Sequence, residues 1–578
     1  MSSKSKQTII LGGLIGSAGI FVSKLLGIIY VTPLTAMAGS ENMKFYGYAY
    51  EIYNYLLQIS QAGIPFGIAA MVAKYSSLGD YKATLMIRKL SNRLILAMGF
   101  LGMMFLMVFA TPLAKVVLGN ASSPETIEIT RNVFIMMSFA LFLVPVLSAL
   151  RGFYQGLKEM EVYAKSQVIE QFARIFFLLS AGALAVYVFK QNQLWAIYFA
   201  VLSAAIGAVC AFIHMKRFDT RRIKGIQQLA DEQTLPSNTD ARSLFSELIK
   251  IAIPYLLVAL VGFSNNMIDF VFYTKTLEAT GLPTELCNYI FGTLISVNVN
   301  KVTSIPQMLA PGFSLSIIPY VTISVMNKKW NELRKNVSDC VDSVLYIAVP
   351  LSFCLLLFSK EILFLLFGES MFNFSPQIAN VILGTQAIVA TGTKVIPEVS
   401  SLVLGSSLLQ WHTVDAFFGT LAPLFTSLMM AVGIRKQNLI NLLIGAVVKI
   451  VFEIPCIRLF GMQGAAVSNL LSMLSIILLD CYFLSRNYQV KWLYTIRKTL
   501  LMIIGVAFMA IYVTCLNFVG VNAIEHGRIW CLFILGFEGL STVLVYVIVT
   551  SYLQLPQTIF KINFQAIKNK LLHKIRRA

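Results

Sequence analysis

Four charged side chains lie within runs of apolar residues that are long enough to cross a bilayer. Lys24 lies near the middle of the run 8–37, and Asp269, Lys301 and Lys449 have similar places in later runs. A charge at the centre of a membrane helix costs about 2.5–3.5 kcal/mol on cell insertion scales, so it is retained where it faces a polar cavity or a partner. The pattern therefore predicts a membrane protein with a charged, solvated interior, which is typical of a transporter.

Composition agrees with this interpretation. The chain has 578 residues, of which 57% are hydrophobic and 13% charged, and its mean hydropathy is +0.74. Soluble domains do not have this composition, and about 20 apolar residues cross one bilayer. We expect an all-α integral membrane protein with about fourteen transmembrane helices, centred near residues 22, 60, 105, 142, 177, 204, 260, 313, 351, 420, 448, 472, 509 and 542. The stretch 374–409 is expected to be an external loop or a re-entrant hairpin.

The net charge of +19 does not indicate nucleic-acid binding, because most of the 46 basic residues fall in alternate loops. Basic residues concentrate on the cytoplasmic side of membrane proteins, so this alternation predicts that both termini are cytoplasmic. The first apolar run is expected to be the first helix and not a cleaved signal peptide. The cysteines and histidines show no metal-ligand spacing, so no metal site is expected.

A charged segment divides the chain into two membrane lobes. We expect an N-terminal lobe over 1–215 with six helices, a cytoplasmic linker over 216–243, and a C-terminal lobe over 244–485. Two further helices follow within 486–556, and a basic amphipathic cytoplasmic tail occupies 557–578. The tail either lies on anionic lipid headgroups or is solvated.

Two motifs in the N-terminal lobe carry a family resemblance. Arg151-Gly-x-x-Gln-Gly is followed by Ser166-Gln-x-x-Glu-Gln, and weaker matches are Ser23-Lys-x-x-Gly, Lys301 five residues before Pro306, and Gly461-x-x-Gly-Ala-Ala. Together they resemble the polysaccharide-transporter branch of the multidrug/oligosaccharidyl-lipid/polysaccharide (MOP) flippase superfamily. Within it, the chain is similar to the stage V sporulation protein B-like and MurJ-like lipid II flippases of Gram-positive bacteria.

The resemblance implies a flippase and not an enzyme. Two six-helix lobes would form a V around a central cavity, with two additional C-terminal helices. The substrate would be a polyprenyl-pyrophosphate-linked saccharide, either a lipid II-like peptidoglycan precursor or another cell-wall or capsule oligosaccharide. The expected location is the bacterial cytoplasmic membrane. We expect a monomer surrounded by membrane lipids, with the cell-wall synthesis machinery as a candidate partner and without a cofactor.

The sequence departs from the lipid II flippases in the first two helices. Tyr30 and Val31 replace an arginine and an aspartate of that family, and the stretch that ends at Gln58 lacks a further cavity arginine, while Glu51 adds a negative charge. Two cations of the expected set are kept as lysines, Lys24 and Lys301. This leaves the identity of the saccharide open.

The substrate cavity is expected to combine cations for a pyrophosphate with polar and aromatic groups for sugars. We assign to it Lys24, Lys301, Glu51, Tyr53, Asn54, Gln58 and Tyr30. A lysine binds phosphate as a point charge. The alternative for the tyrosines of the second helix, including Tyr46, Tyr48, Tyr50 and Tyr55, is an interfacial aromatic belt or helix packing.

Two further sets of charges have open roles. Asp269 and Lys449 are expected to be the charged pair of the C-terminal lobe, since a buried charge needs a partner. They either form a static pair, or Asp269 belongs to a sodium or proton site, or the Lys449 ammonium replaces a coupling ion. The candidate driving forces are therefore sodium, protons and the membrane potential. Arg151, Glu170 and Arg174 are expected to form an inner gate or a structural cluster, because Glu170 and Arg174 have i,i+4 spacing.

Other functions fit the sequence less well. A MATE-like cation-coupled antiporter of small molecules would need an acidic site in the N-terminal lobe, where Glu51 is the candidate and the two lysines oppose it. A membrane enzyme such as a polyprenyl glycosyltransferase would need a nucleotide-sugar domain or an aspartate-rich metal motif, and the sequence has neither.

Overall fold

The computed structural model describes residues 26–27, 30–62, 64–119, 122–157, 159–234, 237, 240–307, 321, 324–325, 327–368, 401–518, 523–524 and 527–560. All regular secondary structure in these residues is helical. Lys24, residues 374–400 of the segment expected to be a loop or hairpin, and residues 561–578 of the expected tail lie outside this part of the chain, as does the side chain of Gln58.

The N-terminal half forms long helices with short connections. They are α1 Val31–Ala38, α2 Met43–Ala62, α3 Ile64–Ser77, α4 Tyr81–Val108, α5 Ala110–Val117, α6 Pro124–Gly156, α7 Met160–Ala183 with a π-helical extension Leu184–Val188, and α8 Leu194–Asp231. Local sequence fixes several of the starts. The Asp80 side chain accepts a hydrogen bond from the Ala83 N–H at α4, and Ser123 accepts one from the Thr126 N–H at α6. Both are typical N-cap residues.

The second half continues in the same way. Its helices are α9 Ala241–Gly262, α10 Ser264–Glu278, α11 Thr284–Tyr289, α12 Asn300–Gln307, α13 Trp330–Leu357, α14 Ser359–Phe367, α15 Ser401–Ala431, α16 Arg435–Phe460, α17 Gly464–Tyr488, α18 Leu493–Phe518, α19 Arg528–Tyr552 and α20 Leu555–Phe560. A π-helical segment, Ile290–Val299, joins α11 to α12, and a 3₁₀ turn, Gly461–Gln463, joins α16 to α17.

Ten helical stretches of the described chain are long and apolar enough to cross a membrane. One of them, Arg435–Tyr488, contains 54 residues, whereas one crossing needs about 20. An all-α protein with many membrane-spanning helices is therefore confirmed. The count of fourteen, the two six-helix lobes and the cytoplasmic termini stay predictions.

Two expected segment boundaries change. Residues 401–409, which the sequence assigned to a loop or hairpin, belong to α15, because the run from Ser401 to Ala431 is a continuous apolar helix. The first part of the expected linker 216–243 is also helical, since α8 continues without a break to Asp231. The charged residues after Lys216 thus extend a membrane helix.

The chain divides into two compact units whose boundaries differ from the expected lobes. The first contains Met1–Val302, Glu369–Leu408 and Arg435–Ser475, and the second contains Thr303–Gly368, Leu409–Ile434 and Ile476–Ala578. The described candidate site residues all belong to the first unit. In the second unit, α13 pairs with α18 through an ion pair of Asp342 with Lys498 and with α19 through the hydroxyls of Tyr346 and Thr550.

Close helix packing in the first unit depends on small residues. A Cβ atom on Gly152 of α6 would lie 2.7 Å from the carbonyl oxygen of Pro65 in α3, and one on Gly156 would lie 2.7 Å from that of Ala69. Gly47 of α2 and Gly292 of the π-helical segment approach in the same manner. Small residues let membrane helices approach at backbone distance, where van der Waals contact stabilises them.

We therefore expect Gly152→Ala to lower the melting temperature of the detergent-solubilised protein, because the added methyl group meets the backbone of α3. Gly102→Ala is the matched control, since a Cβ on Gly102 of α4 meets no atom within 4 Å. Alanine favours a helix interior over glycine by about 0.5–1 kcal/mol, so the control should be as stable as the parent or more stable. Equal melting temperatures for the two variants would contradict this packing.

Candidate functional site

One face of α2 gathers tyrosines. Tyr46, Tyr50 and Tyr53 follow each other at i, i+4 and i+7, and adjacent ring centroids lie 5.7 Å and 6.5 Å apart. Residues at this spacing share one side of a helix. Tyr30, immediately before α1, joins them, because its hydroxyl lies 2.6 Å from the hydroxyl of Tyr46.

Two cations point into this tyrosine cluster from different helices. The Lys301 ammonium of α12 lies 3.9 Å from the ring centroid of Tyr50 and 5.5 Å from that of Tyr30. The Arg174 guanidinium of α7 lies 5.9 Å from the centroids of the same two rings and donates to the Tyr46 hydroxyl at 3.4 Å. Cations within about 6 Å of an aromatic centroid are attracted to its face, more strongly when desolvated. We call Tyr30, Tyr46, Tyr50, Tyr53, Arg174 and Lys301 the central cluster.

A carboxylate lies beside the central cluster. Glu51 of α2 accepts a hydrogen bond at 2.8 Å from the Asn300 side chain, which precedes Lys301 in α12. Asn54 lies next to Tyr50. Glu51 and Lys301 are both buried, with 6% and 9% of their surface exposed. The described centre thus combines two cations with one carboxylate and a wall of tyrosines, and its net charge is positive when all three are ionised.

The tyrosines of α2 do not all share this site. Tyr48 points to the opposite side, where its hydroxyl donates to Asn288 at 2.9 Å and its ring packs on Phe270 and Phe291. The Tyr55 hydroxyl contacts the Leu260 carbonyl oxygen. Helix packing therefore explains Tyr48, whereas Tyr46, Tyr50 and Tyr53 surround the cations.

Arg174 and Glu170, which their i,i+4 spacing allowed to pair, go to different partners. Glu170 forms an ion pair with Arg151 at 2.8 Å, and Arg151 also donates to Ser166 at 2.7 Å. Arg174 turns instead to the tyrosines. Because Arg151 and Glu170 join the consecutive helices α6 and α7, their geometry favours the structural alternative over a gate.

Asp269 and Lys449, the two charges expected in the C-terminal lobe, lie in contact. The Lys449 ammonium lies 2.6 Å from Asp269 Oδ1, and a second carboxylate, Glu453, lies 2.5 Å from it. The sequence analysis missed Glu453, although it follows Lys449 at i+4 within the same apolar run. That spacing is the signal that would have identified it.

Two ion pairs connect the ends of the α2–α3 region to later helices. Near the start of α2, Lys44 contacts Glu285 of α11 at 2.7 Å. Burial raises the pKa of the neighbouring Glu41 carboxyl, and the positive charge of the Lys44 ammonium opposes this shift. Near the end of α3, Lys74 contacts Glu247 of α9 at 2.6 Å. Sequence reasoning missed both pairs, because the partners are about 170–240 residues apart.

Comparison with known proteins gives consistent results. Residues 11–325 match the family described as "Polysaccharide biosynthesis protein". The chain is 26% identical over 520 residues to lipid II flippase MurJ of Bacillus subtilis (strain 168), covering 90% of this chain and 89% of that protein. Its fold is similar to solved structures of lipid II flippase MurJ in an inward closed conformation and of an inward-facing multidrug resistance MATE family transporter of the MOP superfamily.

The two structural similarities concern the fold. The first has a TM-score of 0.60 at 14% identity and covers 93% of this chain and 98% of the other. The second has a TM-score of 0.59 at 13% identity and covers 84% of this chain and 96% of the other. The two folds match about equally well, so the fold does not distinguish a flippase from a multidrug transporter. That distinction depends on the side chains of the site.

If the Arg151–Glu170 pair is structural, Arg151→Met should lower the melting temperature of the purified protein. Hydrogen bonds to charged groups contribute about 1.5–3 kcal/mol, and this substitution leaves Glu170 without its cation. Lys165→Met is the matched control on α7, because the Lys165–Glu161 pair is 62% and 65% exposed and should contribute nothing measurable. An Arg151→Met protein that is as stable as the control but inactive would favour the gate.

Proposed function

Because the chain belongs to the polysaccharide biosynthesis protein family, in the MurJ-like flippase branch of the MOP superfamily, we propose that it moves a polyprenyl-pyrophosphate-linked saccharide from the inner to the outer leaflet. The saccharide is a lipid II-like peptidoglycan precursor or another cell-wall or capsule oligosaccharide. Transport proceeds by alternating access in the bacterial cytoplasmic membrane.

The observation that supports this proposal best is the central cluster. A pyrophosphate needs positive charge at the point where it leaves water, and Lys301 and Arg174 provide two cations at one place. Sugars need polar and flat surfaces, which Tyr46, Tyr50 and Tyr53 offer beside those cations. Lys24 lies outside the described residues, and we assign it the same role because it lies near the middle of the first apolar run.

A cation-coupled antiporter of small molecules shares the fold but fits these residues less well. An organic cation would meet Lys301 and Arg174, and a like charge in a buried site is repelled more strongly than in water. Glu51, the acid at the described centre, is already hydrogen-bonded to Asn300. The positive centre therefore favours an anionic headgroup.

Alternating access needs contacts that open in turn at the two ends of the substrate path. Lys44–Glu285 and Lys74–Glu247 are suited to this role, because they lie in the first turn of α2 and the last turn of α3. Their side chains are between 13% and 52% exposed, and ion pairs that water reaches contribute about 0–1 kcal/mol. Contacts of that strength hold an end closed and still release it within a transport cycle.

No cofactor or metal takes part in this proposal, and the protein acts as a monomer. Its partners are the lipid-linked substrate, the surrounding membrane lipids and the cell-wall synthesis machinery that supplies or consumes the substrate. Bond chemistry is not required, since the substrate crosses the membrane unchanged.

Depletion of the protein in its native host should cause one lipid-linked saccharide to accumulate on the inner leaflet, identified by mass spectrometry of extracted lipids. Re-expression of wild-type protein should relieve the accumulation, whereas Lys301→Ala should reduce the relief about tenfold or more. The reason is that a charge-assisted contact of about 1.5–3 kcal/mol with the headgroup is lost. Lys301→Arg should retain most of the activity.

The control is Lys436→Ala, which removes the same charge from an exposed position at the start of α16. It should relieve the accumulation fully. Membrane levels of all variants are compared by immunoblot, so that loss of protein is separated from loss of transport. Full relief by Lys301→Ala, or accumulation of no lipid-linked saccharide, would refute the proposed function.

Locking either end of the α2–α3 region should stop the cycle. Lys44→Cys with Glu285→Cys, and Lys74→Cys with Glu247→Cys, are introduced separately into a chain whose eight native cysteines are replaced. A cleavable bifunctional thiol reagent should block relief of the accumulation in each case, and cleavage should restore it. The four single-cysteine variants are the controls. Normal transport in a cross-linked double-cysteine variant would exclude that pair as a gate.

A further inference from the structure

The Lys449 ammonium is enclosed by oxygen atoms from three helices. It contacts Asp269 Oδ1 of α10 at 2.6 Å, Glu453 Oε2 of α16 at 2.5 Å, and the Ser468 hydroxyl and Ala465 carbonyl oxygen of α17 at 2.7 and 3.2 Å. Lys449 is completely buried and Glu453 is 1% exposed. We call Asp269, Lys449, Glu453, Ser468 and Asn469 the Lys449 cluster.

The charges of the Lys449 cluster do not balance. One ammonium faces two carboxylates, which leaves one excess negative charge when both acids are ionised. The remaining titratable side chains that face the cluster from the described helices are Tyr273 of α10 and Cys456 of α16. Both are ordinarily neutral, and the Tyr273 hydroxyl donates to the Met462 carbonyl oxygen at 2.8 Å. Helix α17 adds only the uncharged Ser468 and Asn469.

Two contacts of the carboxylates indicate where a proton belongs. Asp269 and Glu453 contact the same ammonium at 2.6 and 2.5 Å, and two carboxylates held at one site favour protonation of one of them because their like charges repel. Glu453 Oε1 is buried and has no hydrogen-bond partner among the described residues, whereas Asp269 Oδ2 accepts from Asn469 at 3.1 Å. A buried carboxylate oxygen without a donor is costly unless it carries a proton.

We propose that the Lys449 cluster is a proton-binding site in which the Asp269–Glu453 carboxyl pair takes up and releases one proton during the transport cycle. Lys449 is the fixed counter-charge, and its ammonium fills the position that a diffusible metal cation would need. Asp269, whose side chain is 13% exposed, is the entry point, and Glu453 is the sealed partner. This role as a coupling site rests on the proposed flippase function; proton binding itself does not.

The site can communicate with the central cluster through packed side chains. Asp269 is followed by Phe270, whose ring lies 6.3 Å from that of Tyr48 in α2. Tyr48 and Tyr50 lie on opposite faces of that helix, and Tyr50 contacts Lys301. A change in the charge of the Lys449 cluster that moves α10 therefore reaches the helix that carries the tyrosines.

Proton binding is tested on the full chain in lipid nanodiscs by infrared difference spectroscopy between alkaline and acidic buffer. Wild type should show a carbonyl band of a protonated carboxylic acid that grows with acidification. Asp269→Asn and Glu453→Gln should each lose that part of the band, because one lysine and one carboxylate then remain and balance. Asp342→Asn is the matched control, since Asp342 is also buried and its Oδ1 also lacks a donor among the described residues, but its charge is balanced by one lysine, Lys498. It should keep the band.

Binding of a metal cation is tested on the same samples by exchanging sodium for choline. We expect neither the melting temperature nor the infrared band to change. A saturable, sodium-dependent stabilisation that Asp269→Asn abolishes would replace the proton by a metal ion and overturn the proposal. An unchanged band in both amide variants, with folded protein shown by size-exclusion chromatography, would overturn it as well.

The coupling role has its own readout. In depleted cells, Glu453→Gln should give folded protein that relieves the precursor accumulation poorly and without the dependence on external pH that wild type shows. A static structural pair would leave the wild-type pH profile intact in this variant and would refute coupling. Because the infrared measurement needs no substrate, loss of the flippase assignment and loss of the proton site are separate results.

Discussion

The cost of taking charge out of water governs this structure. A buried ammonium or guanidinium loses several kcal/mol of hydration, and only well-placed partners return it. The protein uses two solutions. Lys301 and Arg174 are held by tyrosine rings and hydroxyls, which stabilise a cation without cancelling its charge. Lys449 is held by carboxylate, hydroxyl and carbonyl oxygens, which more than cancel it. The two buried sites therefore carry opposite imbalances.

Helix α2 connects these two buried sites. One face carries Tyr46, Tyr50 and Tyr53 toward the cations, and the other places Tyr48 against Phe270 of α10, next to Asp269. Gly47 allows the backbone of α2 to approach the π-helical segment that leads to Lys301. Such close backbone contact leaves little room for sliding, so α2 and the π-helical segment before α12 are constrained to move together.

The sequence predicted which helices and charged residues form this arrangement better than it predicted which partners the side chains contact. Apolar runs located the membrane helices, and the cost of lone charges identified Lys301, Asp269 and Lys449 and the Asp269–Lys449 pair. The sequence analysis misassigned residues 401–409 to a loop or hairpin, because a run of apolar residues does not mark where a loop ends and a helix begins. The i,i+4 spacing allowed Arg174 to pair with Glu170, yet Glu170 forms its ion pair with Arg151. Which arginine pairs with Glu170 depends on how α6 and α7 pack. Distant pairs such as Lys74–Glu247 leave no periodic signal at all.

A fixed lysine in place of a mobile cation has a consequence for transport. On the proposed assignment, the central cluster is neutralised by an anionic headgroup, and the Lys449 cluster is neutralised by a proton. Helix closure around either site removes any remaining net charge from water, at a free-energy cost that grows as the local dielectric falls. Closed states are therefore favoured when both sites are loaded, and each ligand increases the affinity for the other by the same factor. Since Lys449 cannot leave, the proton is the charge in that cluster that is free to vary.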